Sequence, residues 1–366
     1  MLIAGLIALI LGYIVLQLVN AGIHLVWETV PGNWQDTPIW YVTGVLVVAA
    51  VAVFVVRKNV GDAGHSPLAG IGVSPLEPKD YVGAILAILA SLWGGIVLGP
   101  EVALVSTGSM VGTVVATRMG FTGEKDAKRV VGMGALGAIL ALVVGPLLSG
   151  SATLSDTPTS IEFDQLAWAI AVAVVATIAV TVARLIAALF ARAAGKGPHL
   201  PILIISALII AAAALIVQAM TDQSVMMVVT SGEEMISDLP TITSISTIVA
   251  ILIFKTIAYA ASLGSGFRGG PFFPAMFVGA AAGLLFALIL PDGPTIVAAI
   301  AVGVVAATIA TAAMSWRTAA ILGVVLGFFM GGWALIPASL IGAMVARAIP
   351  RLGDRIVAKE VDQNAH

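Results

Sequence analysis

The residue best placed to do chemistry in this sequence is Glu101, a carboxylate within an apolar run. It is the only acidic residue between Asp80 and Glu124. An ionisable side chain at membrane depth is costly, so such a residue is a candidate for handling ions or protons. The alternative is a carboxylate that caps a helix and has no further role.

Glu101 directly follows a Gly-Pro pair, Gly99-Pro100, and a second pair, Gly270-Pro271, lies further along the chain. Each pair predicts a break within an apolar run, with a half-helix starting near Glu101 and another near Phe272. The unpaired N–H groups and positive dipole of a helix N-terminus favour an anion. Glycine allows close backbone approach, and proline suits a first helical turn. The two breaks are therefore candidate anion-binding sites.

Other kinds of site find little support in the composition. The chain has no cysteine, and its four histidines, His24, His65, His199 and His366, are scattered. This excludes thiolate chemistry and argues against a metal site. The net charge of −2 gives no basic face for nucleic acid. We expect no metal, organic cofactor or nucleic-acid partner, and no enzymatic activity.

The elements that must position these residues are membrane helices. Of the 366 residues, 60% are hydrophobic and 10% are charged, whereas soluble domains are about 45–50% apolar and about 25% charged. The sequence predicts an all-α polytopic membrane protein, with its first apolar run a membrane helix rather than a cleaved signal. The predicted apolar runs are 2–27, 40–56, 81–98, 102–117, 130–148, 166–191, 201–220, 245–262, 272–290, 294–314, 318–334 and 335–349.

Charges at the ends of these runs predict the orientation. Lys and Arg gather at 57–58, 118–129, 192–196 and 347–359, whereas 28–36 and 222–238 are acidic. The positive-inside rule places the basic joints and both termini in the cytoplasm. Lys255 lies inside a run, where it either snorkels to an interface or pairs with a carboxylate.

The two Gly-Pro breaks belong to an internal repeat. With a shift of 171 residues, residues 90–112 match residues 261–283 at eight of 23 positions without a gap. The shared Gly-Pro and the glycines at 108, 112, 279 and 283 predict a duplicated, inverted transporter fold whose breaks meet near the bilayer midplane. Ordinary packing of small residues is the alternative.

These segments resemble the CLC family of chloride channels and chloride/proton antiporters. The stretch ending Gly99-Pro100-Glu101 is similar to the family's G-[RK]-E-G-P motif, although Pro100, Val102 and Ala103 depart from it. The second stretch, Gly270-Pro271-Phe272-Phe273-Pro274, resembles the family's G-x-F-x-P motif. The resemblance covers about residues 5–350. No counterpart of the family's last helix, with its central tyrosine, is found.

The resemblance implies roles for particular residues. Glu101 is expected to gate the pathway, and the backbone N–H of Phe272 is expected to bind the anion, unless its ring only packs in the core. The stretch from Ala63 to Pro67 resembles the family's G-S-G-I-P segment but is one residue short. Ser66 and His65 therefore compete for the position of the family's serine at the inner anion site. Asp156 lies near the position at which antiporters of the family carry a proton-handling glutamate. The alternative is an aspartate in a solvated loop. The expected anion-binding residues are Gly99, Pro100, Gly270, Pro271, Phe272, Phe273, Ser66 and His65.

The resulting expectation is a chloride or small-anion pathway gated by Glu101. The chain is expected to consist of a first membrane repeat, 1–160, a second membrane repeat, 161–350, and a short polar cytoplasmic tail, 351–366. The resemblance implies a homodimer, and short loops favour a prokaryotic inner membrane. The alternatives are a chloride/proton antiporter on the same scaffold, with Asp156 on the proton path, or a CLC-like scaffold that conducts nothing.

Overall fold

The computed structural model describes residues 1–349, apart from 33, 35, 62–65, 71, 121–122, 143–165, 196, 291–292 and 313. These residues form α-helices joined by loops and 3₁₀ turns, with a π-helical turn, Leu25–Thr29, directly after the first helix. The helices are α1 (Leu2–His24), α2 (Ile39–Asn59), α3 (Pro78–Trp93), α4 (Glu101–Arg118), α5 (Glu124–Ile139), α6 (Ala167–Ala194), α7 (Leu200–Thr221), α8 (Ile245–Gly264), α9 (Phe272–Ile289), α10 (Ile296–Thr311), α11 (Trp316–Gly331) and α12 (Ile336–Ala348).

The N-termini of the helices are of two kinds. Helices α8, α10 and α11 begin after Ser244, Thr295 and Ser315, whose side chains accept a hydrogen bond from a first-turn N–H. Helices α4 and α9 begin after Pro100 and Pro271, without a side-chain cap. Both starts agree with the sequence prediction. Their first N–H groups are therefore available to a different acceptor.

Seven helical stretches of the described chain are long and apolar enough to cross a membrane. Most of α4 and most of α9 are buried, and the residues of α10 from Ala298 to Thr311 are buried without exception. Broken helices at membrane depth need this protection, because lipid cannot satisfy their open backbone groups. The predicted all-α polytopic membrane fold with re-entrant half-helices is confirmed.

The repeat is visible in how the helices pack. Helix α4 packs on α5 so tightly that a Cβ on Gly108 would lie 2.3 Å from the Gly134 carbonyl oxygen. Helix α9 packs on α10 in the same way, and a Cβ on Gly279 would lie 2.2 Å from the Gly303 carbonyl oxygen. Continued past residue 112, the shift of 171 residues pairs Gly303 with Gly132, which has open space around it. The contact partner is Gly134, so the two halves slip by two residues after the Gly-Pro region.

The two acidic stretches lie on one face of the molecule. The backbone N–H of Thr37 donates to Gln218 Oε1 at 3.1 Å, and Gln218 Nε2 donates to the Thr37 carbonyl at 3.2 Å. These bonds join the segment after 28–36 to the helix that leads into 222–238. The predicted boundary between repeats, at 160, and the tail, 351–366, lie outside the described residues.

Candidate functional site

The site is built around two segments, which we name the first pore segment (residues 91–101) and the second pore segment (residues 262–272). They meet in an antiparallel bridge. The Gly99 N–H donates to the Gly270 carbonyl at 2.7 Å, and the Gly270 N–H donates to the Gly99 carbonyl at 2.7 Å. Since these glycines are equivalent in the repeat, reciprocal bonding between them is what a local two-fold axis requires.

A second reciprocal pair supports the same axis. The Arg268 N–H donates to Ser91 Oγ at 3.1 Å, and the Val97 N–H donates to Ser262 Oγ at 3.1 Å. Ser91 and Ser262 are 171 residues apart, as are Val97 and Arg268. Residues of one half thus take the partners that their equivalents take in the other half. The two segments run antiparallel to each other, and this brings the starts of α4 and α9 together.

The Glu101 carboxylate lies at the N-terminus of α9, in the other half of the molecule. Its Oε1 accepts the Phe272 N–H at 2.6 Å, and the side chain is only 3% exposed. The N–H groups of Glu101 itself and of Phe273 also stabilise the carboxylate. Oε2 makes no hydrogen bond within the described part of the chain. A buried carboxylate with so few donors depends on the positive ends of the two helices.

Two glycines make room for this carboxylate. A Cβ on Gly99 would lie 2.1 Å from Glu101 Oε2, and a Cβ on Gly270 would lie 1.9 Å from Glu101 Cδ. Neither distance is compatible with a side chain. We name the space between Gly99, Gly270 and the Phe272 N–H the slot. The slot is the size of a carboxylate, and it contains one strong hydrogen-bond donor, the Phe272 N–H.

The slot refines the roles expected for the Gly-Pro pairs. The N–H groups of Gly99 and Gly270 are used in the bridge between the segments, and Pro100 and Pro271 have none to donate. These four residues therefore shape the slot without offering it donors. The donors come from Phe272 and the residues beside it. Binding of an anion by any of these residues stays a prediction.

Tyr259 supports the start of α9, a role that sequence analysis did not identify. Its hydroxyl donates to the Pro271 carbonyl at 2.7 Å, and the whole side chain is buried. It therefore holds the residue that immediately precedes the Phe272 donor. The signal in the sequence is a tyrosine inside an apolar run, one of only four in the chain.

Lys255 forms neither of the two interactions expected for it. Its side chain is fully buried, and Nζ donates to the carbonyls of Val228, Val229 and Thr230 at 2.9, 3.1 and 3.1 Å. Nζ also lies 4.8 Å from the centre of the Phe277 ring. The ammonium thus uses its three protons on carbonyl oxygens and fastens the segment 228–230 to α8.

The fastened segment supports the first pore segment, and an arginine supports the second. The Thr230 N–H donates to the Gly95 carbonyl at 2.9 Å. At the equivalent position, Arg57 Nη1 donates to the Gly266 carbonyl at 2.7 Å. Both glycines have positive φ, 80° and 97°. The same backbone shape is stabilised by a neutral donor in one half and by a cation in the other.

The remaining predicted residues are not joined to the slot. Ser66 is exposed and precedes a 3₁₀ turn, Pro67–Ala69. No hydrogen bond described for the chain links the Ser66 side chain to Glu101 or Phe272. His65 and Asp156 lie outside the described residues, and their roles stay predictions.

Comparisons with known proteins agree with this geometry. Residues 127–351 match the family model of the voltage gated chloride channel. The chain is 27% identical, over 381 aligned positions, to "Putative ion-transport protein YfeO" of Escherichia coli (strain E24377A) and of Shigella sonnei (strain Ss046). Each alignment covers 87% of this chain and 81% of the relative.

Solved structures share the fold. A slow cyanobacterial Cl⁻/H⁺ antiporter matches with a TM-score of 0.67 and 16% identity, over 98% of this chain and 96% of that one. A CLC-type fluoride/proton antiporter matches with a TM-score of 0.63 and 15% identity, over 95% of each chain. The family model covers more than half of the sequence and includes the second pore segment. The chain therefore belongs to the voltage-gated chloride channel (CLC) family of membrane ion-transport proteins.

Proposed function

We propose that the protein carries chloride or a similar small anion across the membrane, between the N-termini of α4 and α9, with Glu101 as the gate. The proposal is supported above all by the bond from the Phe272 N–H to Glu101 Oε1, at 2.6 Å. It places a carboxylate where the helix dipole favours an anion. In this arrangement the gate occupies the site that the transported ion needs.

The physical basis of the gate is competition for one donor. An ionised Glu101 is attracted to the positive ends of both helices, which balances part of the cost of burying its charge. Protonation removes the charge and with it most of this attraction. The neutral side chain then leaves the slot, and an anion takes the Phe272 N–H. Partial charges bind an anion weakly enough to release it, as permeation requires.

The test is anion flux from proteoliposomes loaded with chloride, with a potassium ionophore present and external pH recorded. We expect chloride efflux that rises on acidification, and flux insensitive to pH in Glu101→Gln. The matched control is Glu77→Gln, an exposed glutamate in an ion pair with Lys79, which should behave as the native protein. Unchanged pH dependence in Glu101→Gln contradicts the gate.

The same recording separates the two transport modes. Chloride efflux without proton movement identifies a channel, and efflux coupled to proton uptake identifies an antiporter in which Glu101 also carries protons. An absence of any flux from folded protein contradicts transport and favours a non-conducting scaffold.

The membrane context extends the proposal. We infer an inner-membrane protein with cytoplasmic termini, from the basic residues at 118–129 and the acidic loop 222–238. Cysteine labelling of residues 123 and 238, both exposed, from opposite sides tests the orientation. The homodimer expected from the family resemblance stays a prediction.

A further inference from the structure

A narrow cleft runs beside the first pore segment on the face that carries the acidic loops. It lies between that segment, the second half of α1 and the loop after α7, and it has room for about one water molecule. Leu98 and Pro100 line it from the first pore segment, and Ser231, Glu233 and Glu234 line it from the loop. The cleft therefore joins two glutamates to the residue that immediately precedes Glu101.

Glu233 is held in this cleft by a rigid segment. Lys255, the cation that faces this loop from α8, bonds the three carbonyls just before it. Thr230 and Gly232 both have positive φ, 59° and 80°, and Ser231 Oγ accepts the Glu233 N–H at 3.3 Å. A side chain on Gly232 would contact Lys255 Nζ at 2.9 Å. The position of Glu233 is thus set by the buried interior.

The surroundings of Glu233 are mostly acidic. Its side chain reaches solvent, yet the protein around it and the nearby Glu101 and Glu234 raise its pKa above the ordinary range of a glutamate. The pKa of Glu234 is also raised, mainly by burial and to a smaller extent by the charge of Glu28, while His24 acts in the opposite direction. Glu233 therefore holds a proton more readily than an ordinary glutamate, and its charge is coupled to that of Glu101.

Negative charge at this place needs an explanation, because it repels the anion that the pathway is proposed to carry. A carboxylate that gains and loses protons there supplies one. We propose that Glu233 transfers protons between external water and Glu101. This inference rests on the proposed function, in which protonation of Glu101 opens the slot.

The transfer has two steps that balance. A proton moves from hydronium to the Glu233 carboxylate and leaves water behind. It then passes through the water in the cleft to the Glu101 carboxylate, so that Glu233 is ionised again and Glu101 becomes neutral. The return of the proton follows the same path in reverse. No oxidant, metal or cofactor takes part.

The test is a stopped-flow drop in external pH applied to proteoliposomes, with the onset of chloride efflux as the readout. We expect Glu233→Gln to slow the onset at least about tenfold. This is a conservative figure, because a positioned proton-transfer group typically contributes about 100-fold or more. Glu234→Gln, with the same change of charge one residue away, should stay within about twofold of native. Glu233→His, which can again carry a proton, should restore much of the rate.

The outcomes separate this inference from the proposed gate. Equal steady efflux of Glu233→Gln and native protein at low pH shows that the variant is folded. If Glu101→Gln keeps the acid-induced onset, the proposed function itself is contradicted. If Glu101→Gln abolishes the onset and Glu233→Gln matches Glu234→Gln, the gate stands and proton transfer by Glu233 is overturned. Failure of Glu233→His to restore any rate also overturns it.

Discussion

The first and second pore segments make matching hydrogen bonds to each other but carry different side chains. Ser91 and Ser262 accept equivalent backbone N–H groups, and Gly99 and Gly270 exchange theirs. Where one segment ends in Glu101, the other ends in Phe272. The symmetric bonds build a slot from both halves, and the asymmetric pair gives it one carboxylate and one donor. Two glutamates at these positions would repel each other in the same slot.

The difference extends to the groups that support each segment. The carbonyl of Gly95 is held by a backbone N–H from an acidic loop, and the carbonyl of Gly266 is held by the Arg57 guanidinium. The first pore segment is therefore supported by an acidic loop, and the second pore segment by a cation. Duplication explains the shared backbone, and divergence of a few side chains gives the two sides different chemistry.

Replacing the glycine that faces the gate should have the largest effect on transport. In Gly270→Ala, the new Cβ would lie 1.9 Å from Glu101 Cδ, so the carboxylate cannot enter the slot. We expect efflux that no longer responds to pH. Gly132→Ala, at a glycine with open space around it, should behave as native. Normal gating in Gly270→Ala would show that the slot is not where the carboxylate acts.

Removing the buried ammonium should have the largest effect on stability. Lys255→Met leaves three carbonyls without their donor, and we expect a loss of about 3 kcal/mol or more. Thermal unfolding in detergent measures it. The matched control is Lys58→Met, an exposed lysine, expected within about 0.5 kcal/mol of native. Native stability in Lys255→Met would mean that segment 228–230 does not depend on α8.

The smallest effects test the symmetry itself. Ser91→Ala and Ser262→Ala each leave one buried N–H without an acceptor, so each should cost about 1–2 kcal/mol. The control is Ser206→Ala, whose buried hydroxyl has no partner within the described part of the chain and should change little. Unequal losses at Ser91 and Ser262, by more than about 1 kcal/mol, would argue against equivalent roles for the two segments.

The starts of the half-helices were predictable because their cause is local. A Gly-Pro pair within an apolar run breaks a helix and begins another, and α4 and α9 begin at the predicted residues, Glu101 and Phe272. The membrane class followed from composition, and the helices followed from the lengths of the apolar runs. The alignment of the repeat is reliable only as far as the matching glycines extend. Beyond them it pairs Gly303 with Gly132 instead of Gly134, because a two-residue slip leaves no local signal.

The partners of individual polar groups could not be predicted, since they depend on contacts between distant parts of the chain. Lys255 bonds carbonyls 25–27 residues away, which no pattern of side chains marks. The pairing of the Gly99 and Gly270 N–H groups is a property of the backbone. A role for Glu233 is suggested only by the fold, which brings its loop beside the first pore segment.

The central claim is that the Glu101 carboxylate and a transported anion compete for the slot. The most direct measurement is a crystal structure of Glu101→Gln and of native protein, both in bromide, with anomalous scattering to locate the ion. We predict bromide between Gly99, Gly270 and the Phe272 N–H in the variant, and a slot filled by the carboxylate in native protein at neutral pH. A variant with an empty slot, or native protein with bromide and carboxylate both in the slot, would contradict the account.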